Sequence, residues 1–277
     1  MCTAIKFEGF FGRTLDVEKG YGEKIVLTPE NHPLTFKNGE VLSHHFALLG
    51  MAVTVKNTPL YFDAMNNNGL AAAGLNFPSL AVYNQKKQGK NNLASFELIS
   101  YILATCESVE TAKTALKNIN ITNENFSSEI TATPMHFIFA DKTQSITVEP
   151  LADGLKVYQN PVGVLTNAPE FPIHLENLKN YGTVPGDTSS ISRFIRVAHF
   201  SKRAKTEDGK SQLFALLGTV GRVKENNDRQ YTLYTSCMDL DGCEYCVKSY
   251  EGGVTSVDMQ NAQDKDLLFW DYKREIK

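Results

Sequence analysis

The order of the predicted secondary-structure elements is the feature that most restricts which fold this chain can adopt. The first eighty residues contain short apolar segments separated by turn residues, and this pattern predicts strands. Two predicted helices follow, capped by Ser95 and Ser108, and strands return from residue 135. Two further helices and three final strands are predicted at residues 192–200, 211–220, 231–239, 244–250 and 254–259. This order favours an α+β protein with largely antiparallel sheets covered by helices over a doubly wound parallel sheet.

A polar run, NNNG at residues 66–69, separates two of the early strands. Because Asn and Gly tolerate positive φ, it predicts a tight turn. The strand that follows contains AAAG, whose small side chains let another layer approach closely. With 277 residues and no visible repeat or linker, the chain is predicted to form one domain over residues 1–277.

Charge and hydropathy exclude several functional classes. The net charge of −3 and the absence of a basic stripe argue against a nucleic-acid partner. No run of eighteen apolar residues predicts a membrane span, and no secretory signal is visible at the N-terminus. Five cysteines, an odd number in a long chain, are unlike a disulfide framework. We therefore expect a soluble, reduced, cytoplasmic protein.

Metal and cofactor motifs are incomplete. Cys243 and Cys246 form a CxxC near Cys237, but a structural zinc site needs four ligands, and positions 243 and 246 of a strand point to opposite faces. A thiol or zinc module built on these residues is a minor hypothesis. Since HExxH, GxGxxG, P-loop and GxSxG patterns are also absent, we predict no metal and no cofactor.

Cys2 directly follows the initiator methionine. Removal of Met1 would place a thiol and an α-amine on one residue, and the amine, partly neutral at neutral pH, could take the thiol proton. A nucleophile and its base would then need no catalytic histidine. Arg13 and Asp16 lie close behind as possible helpers, although an Arg-x-x-Asp is equally compatible with a surface ion pair.

Seven segments in order along the chain carry a resemblance to a known family. They are MCTAIKF, FFGRTLD, GYGEKIVLTP, YFDAMNNNGLAAAGLNFP, VGVLTNAPEF, PGDTSSISRFIRV and YTLYTSCMDL. Together they resemble the choloylglycine hydrolase family, the bile salt hydrolases and penicillin V acylases, which are N-terminal-nucleophile hydrolases. The resemblance covers nearly the whole chain. It implies an αββα sandwich, with two antiparallel sheets between helical layers.

The resemblance also implies catalytic roles. Cys2 would be the nucleophile once Met1 is removed, and its own amine would be the base. Arg13 would sit beside the thiol and favour its anion. Asp16 would orient the amine, and Arg193 would complete the charge pattern near Cys2. Read without the family, Arg193 is equally compatible with a charge on a helix surface.

Asn76 and Asn167 would supply oxyanion-hole donors by the same resemblance. Both precede proline-containing bends, so turn chemistry is the alternative interpretation. In this family, the position that corresponds to Asn76 typically carries asparagine in bile salt hydrolases and tyrosine in penicillin V acylases. Asn76 therefore favours a bile salt hydrolase.

The implied substrate is a conjugated bile acid, cleaved at the amide that joins the steroid to glycine or taurine. A penicillin V acylase and a bile-acid-binding protein without catalysis are the alternatives. A steroid needs an apolar trough. The residues that the resemblance places around it, each equally compatible with ordinary core packing, are Leu15, Phe126, Ile130, Ala132 and Pro134.

Two segments are shorter than the family pattern. Between HLENLKNY and VPGDTSS the family usually carries a longer, glycine-containing excursion that helps tetramer assembly, whereas here the join is only Tyr181-Gly182-Thr183-Val184. The loop between Phe7 and Phe10 is also short. We expect a homo-oligomer, either a tetramer or, because of the trimmed segment, a dimer.

Overall fold

Two antiparallel β-sheets form the centre of the molecule. The structure, a computed structural model, describes residues 1–204, 208–224, 230–259 and 265–272. One sheet has six strands. In spatial order they are Val164–Leu165 (β14), Cys2–Phe7 (β1), Phe10–Val17 (β2), Tyr231–Asp239 (β15), Glu244–Ser249 (β16) and Val254–Asp258 (β17).

The other sheet has eight strands. In spatial order they are Gly154–Gln159 (β13), Ser145–Leu151 (β12), Met135–Ala140 (β11), Ala71–Asn76 (β8), Thr58–Asn66 (β7), Leu48–Val55 (β6), Lys24–Thr28 (β3) and Leu268–Trp270 (β18). Strand β13 is therefore an edge strand. Two small two-stranded sheets are added by Leu34–Thr35 (β4) with Val41–Leu42 (β5), and by Asn91–Ala94 (β9) with Ile119–Thr122 (β10).

Helices cover the outer faces of both sheets. Leu98–Thr105 (α1) packs on the eight-stranded sheet, and Val109–Leu116 (α2) joins its apolar core. On the six-stranded sheet lie Ser190–Ser201 (α4) and Gly209–Gly218 (α5), with Phe171–Asn180 (α3) packed against α4. These layers confirm the predicted αββα sandwich. Among the described residues, no helix has the length and apolar character needed to cross a membrane.

The helix caps were predicted only in part. The Ser108 side chain accepts a hydrogen bond from the amide of Thr111, which confirms the predicted start of α2. The Ser95 cap was wrong, because residue 95 lies within a short 3₁₀ turn and the side chain of Glu97 satisfies the free amide of Ala94 instead (2.8 Å). Helix α3 was not predicted, since only Phe171 and His174 are buried along it and a helical apolar stripe is missing.

Small residues in β8 allow both of its faces to be buried. Ala71 and Ala73 belong to the core between the sheets, whereas Ala72 belongs to the core under α1 and α2. The predicted turn before β8 is confirmed. Gly69 has a φ of 78°, and a Cβ at this position would lie 2.2 Å from the carbonyl oxygen of Leu240.

Strand register decides which early side chains face which layer. Cys2 pairs with Leu15 and Ala4 with Arg13, so these four side chains share one face of the six-stranded sheet. That face is turned toward the other sheet, because Arg13 Nη1 donates to the carbonyl oxygen of Gly74 (2.9 Å) in β8. Asp16, one residue after Leu15, points to the opposite, helix-covered face. The alternation of side chains thus places Asp16 on the opposite face of the sheet from Cys2 and Arg13.

Candidate active site

Strand β1 holds Cys2 almost completely buried between the sheets. Its backbone nitrogen donates a hydrogen bond to Asn167 Oδ1 (2.8 Å). The terminal ammonium belongs to Met1, which donates to the carbonyl oxygen of Asp16 (2.9 Å) and to Gln230 Oε1 (3.1 Å). Removal of Met1 would turn the Cys2 nitrogen into an α-amine that already has Asn167 as an acceptor.

Arg193, in α4, supports the backbone around Cys2. It is completely buried and donates to the Cys2 carbonyl oxygen, to Thr3 Oγ1 (2.7 Å) and to Asn167 Oδ1 (2.9 Å). Burial lowers the pKa of Arg193, while the charges of Asp16 and Cys2 oppose this shift. The interpretation of Arg193 as a helix-surface charge was therefore wrong, because the amphipathic helix turns this residue toward the sheet.

Arg13 is a second buried cation on the Cys2 side of the sheet. Its guanidinium donates to the carbonyl oxygens of Phe62 (3.1 Å) and Gly74 (2.9 Å), and Nη2 has no hydrogen-bond partner among the described residues. Burial alone would lower the pKa of Arg13, but the nearby Cys2 and Asp63 help to raise it overall. Arg13 is therefore a permanent positive charge close to the thiol, not a member of a surface ion pair.

A buried carboxylate balances Arg13 and was missed by the sequence analysis. Asp63 Oδ2 lies 4.0 Å from Arg13 Nε, and its two oxygens accept hydrogen bonds from the hydroxyls of Tyr234 (2.5 Å) and Tyr245 (2.7 Å). Burial raises the pKa of Asp63, and Arg13 together with these hydroxyls opposes the shift. The available signal was a charged residue inside the apolar strand YFDAMN, since such a residue needs a buried partner.

Asp16 lies behind Cys2, on the helix-covered face. Its Oδ1 accepts a hydrogen bond from Thr232 Oγ1 (2.7 Å), while the buried Oδ2 has no partner among the described residues. Burial raises the pKa of Asp16, and the Thr232 hydrogen bond, the terminal ammonium and Arg193 act in the opposite direction. A carboxylate oxygen thus stays available near the chain terminus.

The two predicted oxyanion donors are brought together. Asn167 Nδ2 donates to the carbonyl oxygen of Asn76 (2.7 Å), so this Asn167 donor is already used. Asn76 ends β8, and its exposed side chain has no hydrogen-bond partner among the described residues. An amide nitrogen carries two N–H groups, so the second N–H of Asn167 and the exposed amide of Asn76 are both donors for an incoming oxygen.

Two histidines anchor the loop that carries Asn167. His136 Nε2 lies 2.7 Å from the carbonyl oxygen of Thr166, and His174 Nε2 lies 2.8 Å from that of Asn167. His136 is completely buried and stacks on Phe77. Burial lowers the pKa of His174 to about 4. A neutral His174 therefore belongs to the folded site.

This burial predicts a loss of stability in acid. The unfolded chain takes up a proton on His174 near pH 6.5, whereas the folded chain resists it until about pH 4. Between these pH values, proton uptake favours the unfolded chain. The free energy of unfolding therefore falls by up to about 3 kcal/mol because of His174. Urea titrations at pH 7.5 and pH 4 measure this fall. The free energy of unfolding should fall less in His174→Gln than in the unmodified chain, because glutamine takes up no proton. The exposed His44→Gln is the control, and equal losses in all three proteins would contradict the prediction.

The predicted substrate-lining residues are distributed unevenly. Leu15 lies directly opposite Cys2, and the Pro134 carbonyl oxygen accepts from the amide of Phe77, next to Asn76. Phe126 instead lines a cavity of about 220 Å³ beside Phe96. Ile130 and Ala132 are half-buried in the same loop as Phe126, and no hydrogen bond of the described residues connects this loop with Cys2.

An aromatic pair near the site was not predicted. The rings of Tyr21 and Phe62 lie 5.8 Å apart, and the Phe62 carbonyl oxygen is bound by Arg13. Tyr21 is 57% exposed, and burial together with the charge of Cys2 raises its pKa. The pair therefore forms an accessible apolar surface beside the nucleophile.

The two cysteines of the CxxC segment lie in different backbone settings. Cys243 precedes β16 with a φ of 52°, whereas Cys246 lies within β16, opposite Cys237. Among the residues that the structure describes, no group of three or more His, Cys, Asp or Glu side chains is arranged to hold a metal ion.

Comparison with known proteins identifies similar sequences and folds. A family model described as linear amide C–N hydrolases, choloylglycine hydrolase family, matches residues 2–184 and 182–268. A bile salt hydrolase/transferase of Lactiplantibacillus plantarum is 38% identical, and the match covers 94% of this chain and 93% of the relative. The two family matches meet at the short segment that joins α3 to α4.

Two solved structures share the fold. A cysteine-to-alanine mutant of conjugated bile acid hydrolase from Clostridium perfringens superimposes with a TM-score of 0.93 at 31% identity, covering 99% of this chain and 98% of the other. Penicillin V acylase from Agrobacterium tumefaciens superimposes with a TM-score of 0.78 at 20% identity, covering 94% and 87%. The second likeness concerns the fold alone.

Proposed function

This chain belongs to the choloylglycine hydrolase family, and on that premise we propose that it hydrolyses the amide bond of glycine- or taurine-conjugated bile acids with Cys2 as nucleophile. The observation that carries the proposal is the buried set around Cys2. Its backbone nitrogen is bonded to Asn167, its carbonyl to Arg193, and Arg13 supplies a positive charge beside it.

The reaction needs only the groups of one residue for proton transfer. After Met1 is removed, the free amine of Cys2 takes the thiol proton, and the thiolate attacks the amide carbonyl. The amine then gives this proton to the departing amino acid nitrogen, which leaves a thioester on Cys2. Water, deprotonated by the same amine, releases the bile acid and restores the thiol. Asp16 Oδ2 is buried and accepts no hydrogen bond from the part of the chain that the structure describes, so it is suited to accept one from the new ammonium.

Charge stabilisation is supplied by fixed groups. Arg13 is held rigid by two backbone carbonyls and Asp63, so it stabilises the thiolate without having to reorganise. Asn76 and the second amide N–H of Asn167 are the donors for the oxyanion of the tetrahedral intermediate. One donor of this kind contributes about 2.7–4 kcal/mol to lowering the barrier. Arg193 and Asn167 keep the Cys2 backbone in place.

The substrate assignment rests on sequence similarity and on the walls of the site. Relatives at 32–38% identity are named bile salt or conjugated bile acid hydrolases. The rings of Tyr21 and Phe62, with Leu15 opposite Cys2, give an apolar surface suited to a steroid. A binding protein without catalysis is the second candidate. It requires that Met1 is retained, because Met1 would then block the base.

We extend the proposal to the assembly and location of the protein. The five cysteines are free thiols, as is typical of a reducing compartment, and this favours a cytoplasmic protein. A homo-oligomer is expected, either a tetramer or, because the connection between α3 and α4 is short, a dimer.

An assay panel tests the function. The purified protein is incubated with glycocholate, taurocholate and penicillin V, and its intact mass is measured in parallel. We expect loss of Met1 and faster release of glycine or taurine than of the penicillin side chain. Full activity with Met1 intact would overturn the mechanism. Faster turnover of penicillin V would overturn the substrate, and binding of glycocholate without product would favour the binding protein.

A further inference from the structure

A cavity of about 650 Å³ lies at the outer edge of the eight-stranded sheet, away from Cys2. Its walls come from the segment of residues 82–90, the end of α2, strand β10 and the β12–β13 hairpin. None of the proposed catalytic residues contributes to it. Leu155 packs with the core under α1 and α2, whereas Cys2 packs in the core between the sheets, so the two sites lie on different faces of the sheet.

The floor of this cavity is apolar. Leu116, Ile119 and Ile121 are buried beneath it, and Leu155 and Val157 of the edge strand complete the surface. Val157, in the edge strand β13, keeps 39% of its surface exposed. A volume of this size is in the range of small-ligand pockets, about 300–1,000 Å³.

The rim of the cavity is strongly cationic in a chain whose net charge is −3. Four lysines line it, whereas the single acidic lining residue, Asp153, is paired with Lys156. The lysines are Lys87, Lys90, Lys113 and Lys117. Two of them have other bonds, since Lys113 pairs with Glu110 (3.1 Å) and Lys90 donates to the carbonyl oxygen of Lys117 (2.8 Å).

Lys87 and Lys117 remain available. Neither has an ion-pair partner among the described residues. Two ammonium groups above an apolar floor match a ligand with a hydrocarbon body and an anionic end. A second copy of this chain docked across a two-fold axis here would bring lysine rims together, and like charges oppose such a contact.

We propose that this cavity binds a small amphipathic anion, with its apolar body on the Leu116, Ile119 and Leu155 floor and its carboxylate or sulfonate between Lys87 and Lys117. The site goes beyond the proposed hydrolysis and does not depend on it. The geometry is compatible with a rigid ring system or an alkyl chain, so the test uses one probe of each kind.

Lysine footprinting on the unmodified protein tests the site directly. Reductive methylation is followed residue by residue by mass spectrometry, with and without cholate or decanoate below their micelle-forming concentrations. Methylation of Lys87 and Lys117 is expected to slow, while that of Lys202 and Lys248, exposed and far from the cavity, stays constant. Protection by either probe supports the site, and the better protector identifies the shape of the ligand body. No protection by either, or equal slowing at all four lysines, overturns the proposal.

Charge reversal provides the second measurement. Calorimetric titration should show that Lys87→Glu/Lys117→Glu weakens cholate or decanoate binding at this site by at least about tenfold. The matched control, Lys202→Glu/Lys248→Glu, should bind as the unmodified chain does, and raising the salt concentration should weaken binding. Unchanged affinity in the cavity variant overturns the site. Because no step uses hydrolysis, failure of the proposed activity would leave both readouts intact.

Discussion

Cys2→Ala is expected to abolish hydrolysis of conjugated bile acids while leaving a folded protein. The thiolate is the only nucleophile in the proposed reaction, so kcat should fall on the order of 10⁶-fold, as when the nucleophile of another acyl-transfer enzyme is removed. Because Cys2 is buried, loss of its sulfur also leaves a small void, which costs about 1 kcal/mol of stability. Amino acid release and urea unfolding measure the two effects separately.

The matched control for this variant is Cys106→Ala. Cys106 is another buried cysteine, at the end of α1 in the core under the helices, and burial raises its pKa. This substitution removes the same atom at a similar cost in stability but should leave kcat unchanged. Comparable activity in the two variants, whether high or low, would contradict the assignment of Cys2 as nucleophile.

Arg193→Met is expected to destabilise the protein and to reduce activity together. The side chain donates to Cys2, Thr3 and Asn167, all of them buried, so its removal leaves these acceptors without the Arg193 donor and takes away one of the positive charges near Asp16. Breaking a buried charged network of this kind costs about 3–5 kcal/mol. Urea unfolding and kcat/KM are the measurements, and Arg203→Met, an exposed residue just beyond α4, is the control.

Arg193→Lys keeps the prediction testable if the methionine variant does not fold. A lysine retains the charge, but its single ammonium cannot reach the Cys2 carbonyl, Thr3 and Asn167 with the fork geometry of arginine. We therefore expect a folded protein with a clear loss in kcat/KM. Full activity in Arg193→Lys, or equal stability of Arg193→Met and Arg203→Met, would contradict the bridging role.

Much of the fold was predictable because it depends on local patterns. Strand alternation, the NNNG turn and the Ser108 cap each follow from a few neighbouring residues, and each was confirmed. The Ser95 cap was wrong and α3 was missed, since a neighbouring carboxylate and packing against α4 decided them. The sandwich itself came from resemblance, because strand order alone is compatible with several antiparallel folds.

The candidate site could be proposed from resemblance as a set of residues, whereas the arrangement of these residues could not be predicted. Resemblance indicated Cys2, Arg13, Asp16, Asn167 and Arg193, and the structure brings them into one neighbourhood. Neither resemblance nor periodicity indicated that Asp63 balances Arg13, or that His174 holds the Asn167 loop. Both are buried polar residues whose partners lie in other strands or loops, which a local pattern does not report.

The sequence by itself determined that a cysteine stands at position 2, with Arg13 and Asp16 close behind it in the chain. The tertiary structure alone decided what these groups touch. The bond from Cys2 to Asn167 spans 165 residues, and that from Arg193 to Cys2 spans 191. Contacts between residues so far apart in the sequence depend on how the sheets and helices pack together. The local pattern of a strand or helix indicates only which of its sides is buried.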